Sequence, residues 1–211
     1  MKRIYASAIC ILIPVILQAK PALEIVLNSS QTTNPFGVAF DGKGTVYVAE
    51  YQGGRILHLN SEGKLRIFSG NGEKGFAGDG LDAGKAVYNG MHNVVRASNG
   101  DLYVSDTRNN LIRKIDLSGN VTTLAGQVEA EGSTNGQGTA ASFNYPSGVA
   151  VDSSGNVYVA DFVNHLIRKI DSSGNVTTLA GQAGVTGSIN GQGTAQYGSD
   201  AIFRISKNSG N

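Results

Sequence analysis

The 211-residue sequence contains no tryptophan, one cysteine and four prolines, and its charges nearly cancel. The single cysteine, Cys10, excludes an internal disulfide framework and a cysteine-ligated metal centre. With 17 Lys and Arg against 16 Asp and Glu, the chain lacks the basic excess typical of nucleic-acid binding, so we expect no nucleic-acid partner. Long apolar runs are absent after the N-terminus, so no transmembrane segment is expected there.

The N-terminus has the pattern of an export signal. A positively charged start precedes a short apolar run up to Leu17, and small residues follow. This pattern predicts a signal peptide over residues 1–19, cleaved near Ala19 or Ala22. We therefore expect an extracytoplasmic protein, whether periplasmic, surface-bound or secreted. Cleavage of this signal peptide would also remove Cys10.

Glycine is abundant, at 29 residues, and it separates short runs rich in Val, Ile, Tyr and Thr. These runs alternate apolar and polar residues, as half-buried strands do, and four of them recur at a period of about 55 residues. Helical periodicity is absent outside the N-terminus. The pattern predicts an all-β fold, a β-propeller of four-stranded antiparallel blades. A parallel β-helix is the alternative, although its repeats would be shorter.

The repeated sequence also resembles that of a known family. Residues 146–171 read Pro-x-Gly-Val-Ala-Val-Asp, then Gly-Asn-x-Tyr-Val-Ala-Asp, then Asn-x-x-Ile-Arg-Lys-Ile-Asp, which is similar to the NHL repeat. The similarity is strongest over 144–181, good over 93–126 and looser over 34–70. It implies a propeller, commonly of six blades. Function is implied less specifically, because the family includes RNA binders, protein-interaction modules, an amidating lyase and scaffolds.

The repeat predicts the domain organisation. The expected segments are a leading strand and linker at 23–33, blades at 34–88, 89–143 and 144–197, and the first strand of a fourth blade at 198–211. Three blades and one strand cannot close a ring, so we expect a fragment of a longer protein whose parent has six blades. The alternative is self-association of partial rings through their open blade edges.

One face of the predicted propeller carries the candidate binding residues. In a meander, the turn between the second and third strands and the connection to the next blade emerge at the same end. The long glycine-rich connections at 70–92, 126–147 and 181–200 therefore share a face with these turns, and binding residues usually lie on such loops. The candidates on this face are His92, Asn93, Asp106, Asn109, Tyr145, Asp161, Asn164 and His165.

The candidates divide into two kinds. Asp106, Asn109, Asp161 and Asn164 recur in register, which favours hydrogen bonding to a turn backbone over calcium binding. His92 and Asn93 instead interrupt the repeat, where other copies have Phe or Ser followed by Gly. Packing variation explains this irregularity best, and a functional role is the alternative.

No residue is nominated as catalytic, and no cofactor is predicted. The resemblance makes calcium or zinc conceivable, but no set of ligands supports either ion. The leading interpretation is a secreted, non-catalytic binding scaffold for an unknown protein, carbohydrate or small molecule. The alternatives are a metal-dependent lyase or hydrolase completed by missing blades, and a truncated fragment without function.

Overall fold

The computed structural model describes residues 31–187, which form three antiparallel β-sheets. This confirms the all-β, bladed architecture predicted from the repeats. The predicted signal peptide, most of the leading strand, the last residues of the third repeat and the fourth-blade segment at 198–211 lie outside the described residues. Within the described range, no helix is long and apolar enough to cross a membrane.

Each repeat forms one blade, a four-stranded meander. Blade 1 consists of β1 (Pro35–Phe40), β2 (Val46–Glu50), β3 (Ile56–Leu59) and β4 (Leu65–Ser69). Blade 2 consists of β6 (Asn93–Arg96), β7 (Leu102–Asp106), β8 (Leu111–Ile115) and β9 (Asn120–Gly126), with β5 (Leu81–Asp82) at its outer edge. Blade 3 consists of β11 (Pro146–Val151), β12 (Val157–Asp161), β13 (Leu166–Ile170) and β14 (Asn175–Gly181), with β10 (Gly136–Gln137) at its outer edge.

The hairpin turns follow from a recurring Asp-x-x-Gly-Asn sequence. At the turn between β13 and β14, Asp171 Oδ1 accepts hydrogen bonds from the backbone N–H groups of Ser173 and Asn175, both at 2.9 Å. Gly174 adopts φ +87°, a conformation that a side chain would strain. The carboxylate thus organises the turn, and the glycine allows the chain to reverse.

The connections between blades contribute the two short outer strands. Leu81 pairs with Val121 of β9, and Gly136 pairs with Val176 of β14. Segments that the sequence assigns to one repeat therefore extend the sheet of the next blade. Two residues are too short to show a period, so the sequence pattern does not reveal this pairing.

The first strands of the blades, β1, β6 and β11, lie side by side and form an inner wall. Successive side chains along the strands of blade 2 point to opposite faces of its sheet, so one face packs against blade 1 and the other against blade 3. Val104 joins a buried cluster with blade 1 residues such as Ile56, whereas Tyr103 joins a cluster with blade 3 residues such as Val159. Blade 2 is thus held by apolar burial on both of its faces.

Candidate functional site

An Asp–Asn–Arg triad recurs on the loop face of blades 2 and 3. We call these the clasps: Asp106, Asn109 and Arg113 in blade 2, and Asp161, Asn164 and Arg168 in blade 3. In the blade 3 clasp, Asp161 Oδ2 accepts hydrogen bonds from Asn164 Nδ2 at 2.8 Å and from Arg168 at 2.9 Å. Its other oxygen, Oδ1, accepts from the backbone N–H of Asn144 at 2.8 Å.

Each clasp also binds the glycine-rich connection that precedes its blade. Asn109 Nδ2 donates to Gly75 O at 2.7 Å, and Asn164 Nδ2 donates to Gly132 O at 2.7 Å. Arg113 bonds Asp79 at 2.6 Å in the same connection. The turns and the long connections therefore do share one face.

The clasps are buried, and this decides their role. Asp106, Asp161, Arg113 and Arg168 have no exposed area. Burial raises the pKa of Asp106 to about 6, against the opposing hydrogen bonds from Asn89, Asn109 and Arg113. Burial likewise raises the pKa of Asp161. Protein partners occupy these carboxylates, so the clasps fasten loops to blades.

Blade 1 uses a different clasp. Glu50 is buried and accepts hydrogen bonds from Arg55 at 2.7 and 3.1 Å. Glu50 Oε1 also accepts from the backbone N–H of Thr33, as Asp106 does from Asn89. Thr33 therefore occupies in blade 1 the position that Asn89 occupies in blade 2.

The inner end of the loop face carries a cluster of partly exposed rings, which we call the mouth cluster: Phe36, Tyr51, His92, Arg108 and Tyr145. The His92 ring stacks on Phe36, with centroids 4.6 Å apart, and on Tyr51, with centroids 5.1 Å apart. Tyr145 meets His92 edge-on at 6.5 Å, and the Arg108 guanidinium lies 5.1 Å from the Tyr51 ring centre. Residues from all three blades thus meet here.

A shared backbone conformation brings these rings together. Asn34, Gly90 and Tyr145 occupy the same repeat position and all have positive φ, at 51°, 63° and 57°. At Gly90, a Cβ atom would approach Arg108 Cγ to 2.8 Å and Tyr51 Cε2 to 3.2 Å. The glycine therefore leaves the space in which Tyr51 and Arg108 meet.

Tyr145 is the strained member of the mouth cluster. A bulky residue at positive φ is unfavourable by about 1–2 kcal/mol. Asn110 Oδ1 holds this conformation by accepting the Tyr145 backbone N–H at 2.9 Å. Because Asn34 and Gly90 share this conformation, the positive φ belongs to the repeat, and Tyr145 is the residue that places an aromatic ring there.

The cluster has a cationic centre. Arg108 is exposed and forms no ion pair among residues 31–187. Hydrogen bonding to the side chain of Tyr51 raises the pKa of Arg108. Burial, aided by the nearby Arg108 charge, lowers the pKa of His92 from its ordinary value of 6.5. Near neutral pH the cluster therefore combines a neutral imidazole with one unpaired guanidinium.

Two further candidate residues lie outside these contacts. Asn93 begins β6, and its backbone N–H donates to Ser105 Oγ at 2.8 Å. His165 occupies the repeat position of Asn110, with φ +58° and a buried Nδ1 that has no hydrogen-bond partner in the described part of the chain. Of the predicted residues, the structure brings His92 and Tyr145 together in the mouth cluster, and it pairs Asp106 with Asn109 and Asp161 with Asn164 in the clasps.

Sequence reasoning missed Phe36, Tyr51 and Arg108. One sequence feature could have indicated Phe36 and Tyr51, because each is an aromatic residue at a position where another repeat has a polar residue. Phe36 stands where blade 3 has Ser147, and Tyr51 stands where blade 2 has Thr107. Only the packing of neighbouring blades shows that these substitutions converge.

Residues 31–187 contain no group of three or more His, Cys, Asp or Glu side chains placed to hold a metal ion. A surface cavity of about 260 Å³ lies beside the blade 2 clasp, with Phe76, Asp79 and Thr123 in its lining. Its carboxylate, Asp79, is already paired with Arg113. The mouth cluster is therefore the stronger candidate site.

The mouth cluster should make stability depend on pH. Because the pKa of His92 is lower in the folded state than its ordinary 6.5, the unfolded state binds more protons in the window below 6.5. We expect the free energy of unfolding to fall as the pH is lowered through this window, and to fall less in His92→Phe, which keeps a ring. Urea titrations at pH 7.5 and 5 measure the difference.

This comparison isolates His92 from the other titrating groups. His58, whose pKa burial also lowers, and Asp106 are present in both proteins, so their contributions cancel. Equal pH dependence in the two proteins would contradict the assignment.

Comparison with known proteins identifies the repeat. Residues 143–170 match the NHL repeat, and this range covers β11, β12 and β13 with the blade 3 clasp. The chain contains an NHL repeat at residues 143–170. The clasp residues Asp161, Asn164 and Arg168 are therefore part of what its NHL repeat encodes.

The matching relatives are much longer proteins. The chain is 41% identical over 79 residues to Protein SUPPRESSOR OF QUENCHING 1, chloroplastic, of Arabidopsis thaliana, covering 37% of this chain and 7% of that protein. It is 39% identical over 72 residues to human NHL repeat-containing protein 2, covering 33% of this chain and 10% of that protein. The NHL-repeat region thus spans a small part of each relative.

A solved structure shares the bladed fold. An auxiliary nutrient binding protein from Bacteroides ovatus superposes with a TM-score of 0.61 at 19% identity, covering 80% of this chain and 42% of that chain. At this identity the likeness shows the fold alone. The chain spans less than half of that propeller-type structure.

Proposed function

We propose that this protein is a non-catalytic binding module that takes its ligand on the loop face, at the mouth cluster. The observation that carries the proposal is the stacking of Phe36, His92 and Tyr51 at the surface, since Phe36 remains 64% exposed. Tyr88 and Phe143, which pack between sheets, are by contrast fully buried. Exposed, preorganised aromatic surface is typical of a binding site.

The scaffold supports this function. The clasps tie the long connections to the blades through buried charged hydrogen bonds, so the loop face is rigid around the cluster. Rigid support lowers the entropic cost of binding. Tyr145, held at positive φ, points to selection for ring placement at the expense of local stability.

Secretion and the ligand belong to the same proposal. The export pattern at residues 1–19 agrees with a protein that meets its ligand outside the cytoplasm. The similarity in fold to a nutrient-binding protein is consistent with such a role. The expected ligand is a carbohydrate, another small molecule or a protein, and the mouth cluster is where it should bind.

The proposal is tested by screening the full chain against an immobilised library of saccharides, sugar acids and small aromatic acids. We expect at least one ligand whose affinity falls tenfold or more in both Tyr51→Ala and His92→Ala. Removing a ring contact of this kind typically costs about 1–2 kcal/mol, which corresponds to that factor.

Phe162→Ala is the matched control, because Phe162 is 47% exposed on the corresponding turn of blade 3 and makes none of the cluster's ring contacts. Circular dichroism should show that all three variants are folded. The proposal fails if no ligand is found, or if the cluster variants bind as the control does.

A further inference from the structure

We infer that the ligand of the mouth cluster is a saccharide that carries a carboxylate. This inference rests on the proposed function and specifies its ligand class. In this arrangement the sugar ring lies against the exposed rings, and its carboxylate pairs with Arg108.

The charge requirement comes from Arg108. Its guanidinium is exposed, forms no ion pair within residues 31–187, and is held over the Tyr51 ring at 5.1 Å. By contrast, Arg113 and Arg168 are fully buried and paired with carboxylates. A planar guanidinium positioned by an aromatic face is suited to bidentate binding of a carboxylate.

Among residues 31–187, no carboxylate forms an ion pair with this cation. The neighbouring carboxylate in sequence, Asp106, points into its own clasp and accepts hydrogen bonds from Asn89, Asn109 and Arg113. His92 contributes no negative charge in either protonation state. A neutral ligand would leave the charge of Arg108 unpaired, whereas an anionic ligand would form an ion pair with it.

The aromatic side chains of the mouth cluster indicate that the ligand contains a sugar ring. Phe36 is 64% exposed beside His92, and the apolar face of a pyranose can pack against such a ring. Interactions with the Tyr51 side chain, and then with the Tyr145 side chain, raise the pKa of Arg108, and both tyrosines carry a hydroxyl group. Hydroxyl groups and an imidazole next to a ring face match a polyhydroxylated ligand better than a purely aromatic acid.

Isothermal titration calorimetry of the full chain with four probes tests the inference. The probes are glucuronate, its neutral methyl ester, glucose 6-phosphate and benzoate. We expect glucuronate to bind at least tenfold more tightly than its methyl ester at low salt, because a charge-assisted hydrogen bond is stronger than a neutral one. Glucuronate should also bind more tightly than benzoate, which has no hydroxyl groups, and more tightly than glucose 6-phosphate, which carries no carboxylate.

Arg108→Gln should remove the preference for glucuronate over its methyl ester, and Tyr51→Ala should weaken both ligands. Lys43→Gln, which removes an exposed positive charge at the β1–β2 turn, is the control for net charge and should keep the preference. Equal binding of the methyl ester overturns the need for a carboxylate. Tighter binding of glucose 6-phosphate overturns the choice of carboxylate over phosphate, and tighter binding of benzoate overturns the saccharide.

The outcomes separate this inference from the proposed function. If glucuronate fails but the library yields another ligand that depends on Tyr51 and His92, the ligand class is wrong and the binding module stands. If no ligand depends on these residues, both are wrong.

Discussion

Replacing Arg168 with methionine is expected to lower the free energy of unfolding by about 3–5 kcal/mol, because it leaves a buried charge without its partner. Arg168 and Asp161 have no exposed side-chain area and lie 2.9 Å apart. Arg168 also donates to the backbone oxygens of Ser142 and Thr134, so the variant loses the link between blade and connection as well. Urea unfolding followed by circular dichroism measures the change.

Lys169→Met is the matched control. Lys169 follows Arg168 in β13 and points to the opposite face of the sheet, where it is partly exposed. We expect this substitution to change stability by less than about 0.5 kcal/mol. Equal losses in the two variants would show that the clasp contributes no more than a surface charge.

The pH dependence provides a second check on the clasp. Burial already raises the pKa of Asp161, and removing Arg168 should raise it further. A carboxyl group whose pKa is raised by folding adds stability at low pH and loses it as the pH rises. The deficit of Arg168→Met should therefore shrink as the pH is lowered from 7 to 5. A constant deficit would indicate that Asp161 gains no proton in the variant.

Gly126→Ala is expected to destabilise the protein by about 2–5 kcal/mol, from backbone strain and overpacking together. Gly126 ends β9 with φ +98°, and a Cβ atom there would collide with the backbone oxygen of Asn110. It would also approach Leu111 Cα to 3.2 Å. Since Asn110 positions Tyr145, the same substitution should weaken ligand binding.

Gly119→Ala separates backbone strain from overpacking. Gly119 has φ +83°, but nothing lies within 4 Å of its would-be Cβ atom. Alanine at this hairpin turn should lower the free energy of unfolding by about 1–2 kcal/mol, from backbone strain alone. Thermal or urea unfolding of both variants measures the difference. If Gly119→Ala is as destabilising as Gly126→Ala, the contact with Asn110 does not limit the fold.

The blades are largely predictable from sequence because their signals are local. Alternation in Val157–Asp161 and Leu166–Ile170 specifies strands, and the Asp171 turn supplies its own hydrogen bonds. The clasp is also encoded locally, as an Asp, an Asn three residues later and an Arg four residues after that. Its burial is not visible in the sequence, because the partners Gly132 and Thr134 lie more than thirty residues away.

The mouth cluster could be predicted only in part. His92 and Tyr145 stand out on the expected loop face, but Phe36 is an ordinary strand residue in the sequence. Tyr51 replaces a polar turn residue and gives no periodic signal. Arg108 is one of several exposed basic residues, and only its position over Tyr51 distinguishes it.

The sequence by itself determined the repeat, the strands, the turns and the face on which the long connections lie, because each depends on neighbours within a few residues. The tertiary structure decided that Phe36, Tyr51, His92 and Tyr145 share one surface and that the recurrent Asp and Asn side chains are buried. These properties arise where adjacent blades pack, and the space left by Gly90 and the left-handed backbone of Tyr145 matter only there.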